Sequence, residues 1–355
     1  MTLPTSGSQY VFPGFNGFRN MTLRKVPVDP PVRDEVLVKV HAVSLNYRDN
    51  FVAAGKYPRP VKAAPIIPCA DMAGEVVAVG PEAFVAGASD GRMWKVGDRV
   101  CPSATPNFVT GAYRDSEPVP DYGAAIDGVL CEYKIVPAHS LLPIPEHLSY
   151  EEASTLCSAP LTAYNALFSG PEPLKAGDYM LTLGTGGVSI VALQLAIAAG
   201  VKVIVTSSSD EKLEIAKKLG AHHTVNYRKT PEWHEEVLKI TGGRGVDHVV
   251  EVGGLGTLGK SLKACCTGAK VHLIGFVAEG QLDAAILFDT ITKTLTLRGI
   301  LIGSIAQWRE MMRIVDFAKI KPVVDKVFPY EKAVEAFDHL ESHLFMGKVV
   351  VQVCE

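Results

Sequence analysis

Between Leu181 and Ser189 the chain reads Leu-Thr-Leu-Gly-Thr-Gly-Gly-Val-Ser, an apolar run that passes through glycines into a helix-forming stretch. No other feature restricts the fold as tightly. Gly184 permits a tight turn, Gly186 lets the backbone approach an anion, and the amides and dipole at the helix start favour negative charge. Gly184, Thr185, Gly186, Gly187 and Val188 thus outline a pyrophosphate cradle, with Ser189 where the pattern G-x-G-x-x-G has its third glycine. Alone, such a triplet fits an ordinary strand-to-helix turn equally well, so its surroundings must decide.

Those surroundings alternate. After Glu151, strands are expected at Met180–Leu183, Lys202–Thr206, Thr224–Asn226, Val246–Val252, Lys270–Ile274 and Leu295–Ile302. Helices are expected between them at Val188–Ala199, Asp210–Leu219, near Trp233–Thr241, and at Gly256–Cys266. Strand-helix alternation with short connections specifies an α/β, doubly wound parallel sheet. Ser208 and Glu211 form an S-x-x-E box that would start the second helix. From Glu35 to about Pro145 the text is different: short β-type runs at Val36–Val43, Gly74–Val79, Arg99–Cys101 and Leu130–Val136, punctuated by Pro and Gly. That pattern predicts a largely antiparallel, barrel-like domain. Pro102–Gly128 reads as a long surface loop, a lid or substrate wall. The tail beyond Ser304, with a helix at Gln307–Lys319 and a strand at Lys348–Val353, is expected to fold back onto the first domain.

Length and charge narrow the partner. The 355 residues suffice for two domains, and 47% hydrophobic content supplies two cores. A net charge of -3 with mixed signs offers no basic stripe, which argues against nucleic acid and anionic membranes and leaves a small-molecule substrate. Met1–Ser8 lacks a cationic start and a long apolar run, so a cytoplasmic protein is expected. Seven cysteines without a C-x-x-C pair fit reduced thiols, with Cys265 and Cys266 placed on a helix.

About twenty residues beyond the glycine turn, a dinucleotide site has its ribose reader. An Asp or Glu there would accept from a 2′-hydroxyl and repel a 2′-phosphate. This chain has Thr206, Ser207, Ser208 and Ser209, with Lys212 a turn later. Hydroxyls plus an ammonium match a phosphate dianion, so NADPH is expected over NADH.

Three further segments carry a family resemblance: 210–223 (Asp-Glu-Lys-Leu-Glu-Ile-Ala-Lys-Lys-Leu-Gly-Ala-His-His), 242–252 (Gly-Gly-Arg-Gly-Val-Asp-His-Val-Val-Glu-Val) and Gly97-Asp98-Arg99-Val100. With them the chain, from about Val36 onward, resembles the medium-chain dehydrogenase/reductase superfamily. The resemblance implies a GroES-like β-barrel catalytic domain (1–157 and 305–355), a Rossmann NADPH-binding domain (158–304), and a cleft between them. Ser-Leu-Asn-Tyr-Arg-Asp at 44–49, Gly-Lys-Tyr-Pro at 55–58 and Leu-Thr-Ala-Tyr-Asn-Ala at 161–166 look most like the zinc-free quinone oxidoreductase and enoyl reductase branch. In zinc-dependent members the catalytic ligands match Asn46, Ala70 and Ser158 here, none a good zinc ligand, and no four-cysteine loop exists between Pro102 and Gly128. No metal is therefore expected.

The resemblance also implies roles. Tyr57 matches a tyrosine linked to proton donation, and Asn46 an asparagine that orients substrate or cofactor. The plainer reading of Tyr57 is a packing residue before Pro58. Arg48 and Asp49 would pair near the domain surface. Around the cofactor, Thr162 would lie near the nicotinamide, Tyr227 near the 2′-phosphate, and Gly253, Gly254 and Phe276 at strand ends. Leu301–Gly303 would offer backbone to the carboxamide. Lys348 would face the pyrophosphate, or else stand as an exposed charge. The expected activity is zinc-independent, NADPH-dependent hydride delivery to an activated C=C bond, that of an α,β-unsaturated carbonyl or quinone. Alternatives are a zinc-free carbonyl reductase or alcohol dehydrogenase, and an NADPH-binding sensor or structural protein with little turnover. A homodimer is expected, because the Leu295–Ile302 strand would be an edge in need of a partner.

Overall fold

The computed structural model describes residues 3–83, 93–111, 113, 120–281 and 284–354. The chain forms two compact units, residues 1–158, 304–310 and 321–355 in the first, and 159–303 with 311–320 in the second. The tail thus belongs to the first unit except for Met311–Ile320, which packs with the second, against the expectation of one continuous return.

In the first unit the strands are β1 (Ser6–Val11), β2 (Thr22–Pro27), β3 (Glu35–Ser44), β4 (Asp71–Val79), β5 (Arg99–Pro102), β6 (Tyr133–Pro137) and β7 (Leu141–Pro143). Helix α1 spans Tyr47–Ala53 and α2 spans Tyr150–Ser154. β1 and β2 form a separate antiparallel pair that was not foreseen. β3 is the axis of the main sheet: its first half pairs with β6, its last residues with the C-terminal strand, and its whole length with β4. Register shifts between Leu37/Val38 and Val40/Ala42 increase its coil, as bulges do. Leu130 and Cys131, expected to open the β6 strand, instead precede it: Leu130 N donates to Pro68 O at 3.2 Å, beside Gly128, which comes so close to Pro68 and Cys69 that a Cβ would overlap backbone. Of the expected Pro102–Gly128 loop, residue 112 and residues 114–119 lie outside the described residues.

The second unit opens with α3 (Ala159–Phe168) and continues β8 (Tyr179–Thr182), α4 (Gly187–Ala198), β9 (Lys202–Ser207), α5 (Asp210–Lys218), β10 (His223–Asn226), α6 (Trp233–Ile240), β11 (Val246–Glu251), α7 (Leu258–Ala264), β12 (Cys265–Leu273), α8 (Ala285–Thr292) and β13 (Thr296–Gly299). Its strands run in the order β10-β9-β8-β11-β12-β13, all pairings parallel. This is the doubly wound order, reversing between β8 and β11, where ligands of such sheets bind. The core between sheet and helices is aliphatic: Leu181, Ile204, Val237, Val249, Leu262 and Val271 are buried.

Three local expectations change. Cys265 and Cys266 open β12 instead of closing a helix, because Cys265 pairs with Val246 and the backbone of Gly245 packs directly on both. Ser209, not Ser208, caps α5, its Oγ accepting from Lys212 N at 3.3 Å. The last parallel strand covers only Thr296–Gly299. α9 (Ile305–Phe317), β14 (Val324–Pro329), α10 (Ala333–Glu341) and β15 (Lys348–Gln352) complete the chain, with β14 beside β15 and β15 on β3.

Candidate active site

At the C-terminal ends of β8, β9 and β11 lies a cavity of about 410 Å³, lined by Gly184, Thr206, Tyr227, Trp233, Gly253 and Thr257 among others. Its size and place are those of a ligand pocket at a switch point. Gly184 adopts φ +70°, and a Cβ on Gly184 or Gly186 would meet no atom within 4 Å, so the turn leaves an open cradle under the start of α4. The amides of Gly187, Val188 and Ser189 lie in the first helical turn, where no intrahelical acceptor exists. Ser189 is buried and its Oγ donates to Leu183 O at 2.6 Å, so the missing third glycine is replaced by a hydroxyl that ties the helix back to the strand. A dinucleotide fits this set: glycines for the pyrophosphate, and a half-apolar pocket for the adenosine end.

The end of β9 is hydroxylic. Thr206 and Ser207 are buried, and Thr206 Oγ1 accepts from Gly184 N at 3.4 Å. Ser207 Oγ accepts from Ser209 N at 3.3 Å, and Ser207 O from Tyr227 N at 3.0 Å, which brings Tyr227 beside the serines. Ser208 and Lys212 are part-exposed on the same turn. Asp210, the carboxylate on this turn nearest Thr206, accepts from Asn226 Nδ2 and Lys229 Nζ. Across the cradle, Glu251 is fully buried and accepts from Gly253 N, Gly254 N, Thr257 Oγ1 and Ser261 Oγ. It shapes the turn that lines the pocket.

The first unit holds a second cluster. Asn46 caps α1, and its side chain is pinned at both ends: Nδ2 donates to Asp71 Oδ2 at 2.9 Å, and Oδ1 accepts from Lys348 Nζ at 2.6 Å. Lys348 also donates to Leu45 O at 2.7 Å and lies 3.7 Å from Asp71, whose other oxygen accepts from Ser158 Oγ. Burial lowers the Lys348 ammonium from its ordinary value, against the pull of Asp71 and Asp49. Asp49 accepts from Asn46 N at 2.8 Å, and burial pushes its carboxyl up to about 6 despite Arg48. Nearby, Asp121 Oδ2 accepts from Arg48 Nη1 at 2.6 Å, Tyr57 OH at 3.2 Å and Arg59 Nη1 at 3.4 Å. Burial raises the Tyr57 phenol, while Arg48 and Arg59 draw it down.

Two readings change, those of Lys348 as a surface charge and of Arg48 and Asp49 as a surface pair. Lys348 is only 4% exposed, which removes its reading as a surface charge, and it sits in the first unit with its ammonium among Leu45, Asn46 and Asp71. Arg48 and Asp49 are not a surface pair: Asp49 is buried, and the shorter contact of Arg48 is with Asp121. Thr162 is buried on α3, and Phe276 and Leu301 are exposed. Gly303 ends a segment that Asn165 holds through Ile302 O. Asp71, Asp121, Glu251 and Thr257, and Trp233 and Lys260 of the cavity lining, escaped the sequence reading as site residues. Only Glu251, directly before a glycine turn at a strand end, left a readable signal.

The donors do not fit zinc. Asn46 and Ser158 both donate to Asp71, and a buried ammonium already lies against Asn46. Cys157 Sγ donates to Met72 O at 3.5 Å, and burial holds the Cys69 thiol well above its usual value. Among the described residues no group of three or more His, Cys, Asp and Glu can hold a metal ion.

Comparison with known proteins agrees with this architecture. The alcohol dehydrogenase GroES-like domain family matches residues 32–146 and the zinc-binding dehydrogenase family residues 187–316. A zinc-type alcohol dehydrogenase-like protein of Schizosaccharomyces pombe is 43% identical over 90% of this chain and 91% of its own length. The quinone oxidoreductase of Homo sapiens is 28% identical over 92% and 91%. Among solved structures, an NAD-dependent alcohol dehydrogenase superposes with a TM-score of 0.85 at 30% identity, over 98% of this chain and 100% of that one. An alcohol dehydrogenase superfamily protein of Novosphingobium aromaticivorans gives 0.80 at 27%, over 98% and 100%. With a glycine cradle at the switch point of one unit and a β3-centred, mainly antiparallel sheet in the other, the chain belongs to the medium-chain dehydrogenase/reductase superfamily of nicotinamide-dependent oxidoreductases.

Proposed function

We propose that this protein is a zinc-independent, NADPH-dependent reductase of activated alkenes, the C=C bond of an α,β-unsaturated carbonyl or quinone. The observation that carries the reading is the network at Asn46, Asp71, Ser158 and Lys348. Where a zinc enzyme would polarise a carbonyl with its metal, this chain has a closed set of hydrogen bonds with the ammonium inside it. The chemistry is then left to hydride delivery and protonation.

Bound NADPH supplies the hydride. Gly184, Thr185, Gly186, Gly187 and Val188 hold the pyrophosphate, and Thr206, Ser207, Ser208, Lys212 and Tyr227 the 2′-phosphate, to which Asp210 presents a carboxylate already engaged by Asn226 and Lys229. Thr162, Gly253, Phe276, Leu301 and Gly303 serve the remaining length of the cofactor. Tyr57, part-exposed and with its hydroxyl donating to Asp121, supplies the proton, and Asn46 orients substrate or cofactor. The names of the alcohol dehydrogenase relatives favour a second reading, carbonyl reduction on the same scaffold.

A panel of enones, quinones and aldehydes, followed by NADPH and NADH oxidation with product analysis, separates these readings. Saturated carbonyl products, NADPH preferred, and a fall in kcat of about a hundredfold in Tyr57→Phe are expected. Alcohol products would establish the second reading. Stoichiometric zinc in chelator-washed, active protein would overturn the first.

A further inference from the structure

The first unit places more charge at Tyr57 than packing needs. Arg48 reaches Asp121 from α1, and its guanidinium lies 5.5 Å from the centre of the Tyr57 ring. Arg59, two residues past Tyr57, reaches the same Asp121 oxygen and donates to Tyr113 OH at 2.9 Å. Asp121 itself is 1% exposed. Behind Arg48 stand Asp49, at 3.6 Å, and Asp71. The carboxylate therefore collects two guanidiniums and the phenol on one oxygen.

We propose that Arg48 and Arg59, clamped by Asp121, are positioning residues that neutralise Tyr57 once it has given up its proton. The inference rests on the reading of Tyr57 as the proton donor. The groups that meet at Asp121, two guanidiniums and one carboxylate, carry one net positive charge beside a neutral phenol, offset in part by Asp49 behind Arg48. When the Tyr57 O–H bond breaks, its electron pair stays on the phenolic oxygen and the proton goes to the α-carbon of the substrate enolate. The cluster then becomes neutral, and water returns the proton. In a half-buried site such compensation favours the charged product, whereas a lone buried phenolate would be opposed by desolvation. Asp121 contributes differently, keeping two like charges together and accepting the hydrogen bond of the hydroxyl, which fixes the phenol before transfer.

The test replaces Tyr57 with difluorotyrosine, whose more acidic phenol titrates in an accessible range, and follows it by fluorine NMR in the full-length protein. Arg59→Met should raise its midpoint by about one pH unit and Asp121→Asn should lower it by a similar amount. In turnover with an enone, Arg59→Met should lower kcat about tenfold and leave the KM for NADPH unchanged, and that loss should vanish in a Tyr57→Phe background. Arg48 also holds Tyr122 O and its variants risk the fold, so the part-exposed Arg59 carries the test. A midpoint unmoved by both substitutions overturns the proposal, whatever the turnover. A moved midpoint in a protein that reduces nothing in the panel keeps the electrostatic coupling and removes the reductase reading.

Discussion

Glu251 is buried, and among the described residues its partners are two backbone amides and two hydroxyls rather than a cation. Hydrogen bonds to a charged acceptor are worth about 1.5 to 3 kcal/mol, and an orphaned donor in their place costs a similar amount. Glu251→Gln puts an amide NH₂ where an oxygen accepted, so one or more donors lose their acceptor. Urea unfolding should show a loss of about 2 to 4 kcal/mol. Because Gly253 and Thr257 line the cavity proposed for the cofactor, affinity for the nicotinamide cofactor should fall as well. An unchanged unfolding midpoint together with unchanged affinity would show that the turn holds without its carboxylate. Ser189 makes the same point at smaller scale: the absent third glycine is a local substitution with its own hydrogen bond, and the cradle survives it.

At the level of elements, α8 and β13 are unfinished. β13 is the outermost strand of the parallel sheet, and α8 exposes Leu287, Phe288 and Ile291 at 68%, 68% and 66%. We propose that a second copy of the chain covers this strand edge and the apolar face of α8. Sedimentation should therefore give twice the chain mass, and Ile291→Lys should shift it towards one. A parent protein that sediments as a single chain refutes the dimer. Strand and helix positions were largely legible because hydrophobic period and glycine punctuation act within a few residues. The misreadings, Cys265–Cys266 as helix and Leu130–Cys131 as strand, occur where a distant backbone approaches: Gly245 against one, Pro68 and Cys69 beside the other.

For the molecule as a whole, pH is the readiest probe. His248 and His272 stack on adjacent strands, ring centroids 5.4 Å apart and Nδ1 to Nε2 at 3.1 Å, deep in the second unit. Burial lowers both, His272 to about 3 with His248 contributing. Their folded values lie below the ordinary 6.5, so the unfolded chain binds protons that the folded chain refuses. This contribution is fully present above pH 6.5 and is lost as pH falls towards 3. Asp49 acts oppositely, since its raised value near 6 favours the folded state on acidification below that pH. The histidine pair involves two groups, so the urea midpoint should decline between neutrality and about pH 4, and the decline should shrink in His272→Leu. A parallel decline in parent and variant would remove the pair as its cause. By itself the sequence determined the parallel sheet, the glycine turn and the hydroxyl-rich turn after β9, because each is written in neighbouring residues whose backbone preferences and hydrogen bonds are local. Only the tertiary structure decided the chemistry of the first unit. Lys348 meets Asn46 across 302 positions, and Asp121 gathers Arg48, Tyr57 and Arg59 from an aperiodic loop, contacts that no short-range pattern encodes because they exist only when distant strands have paired.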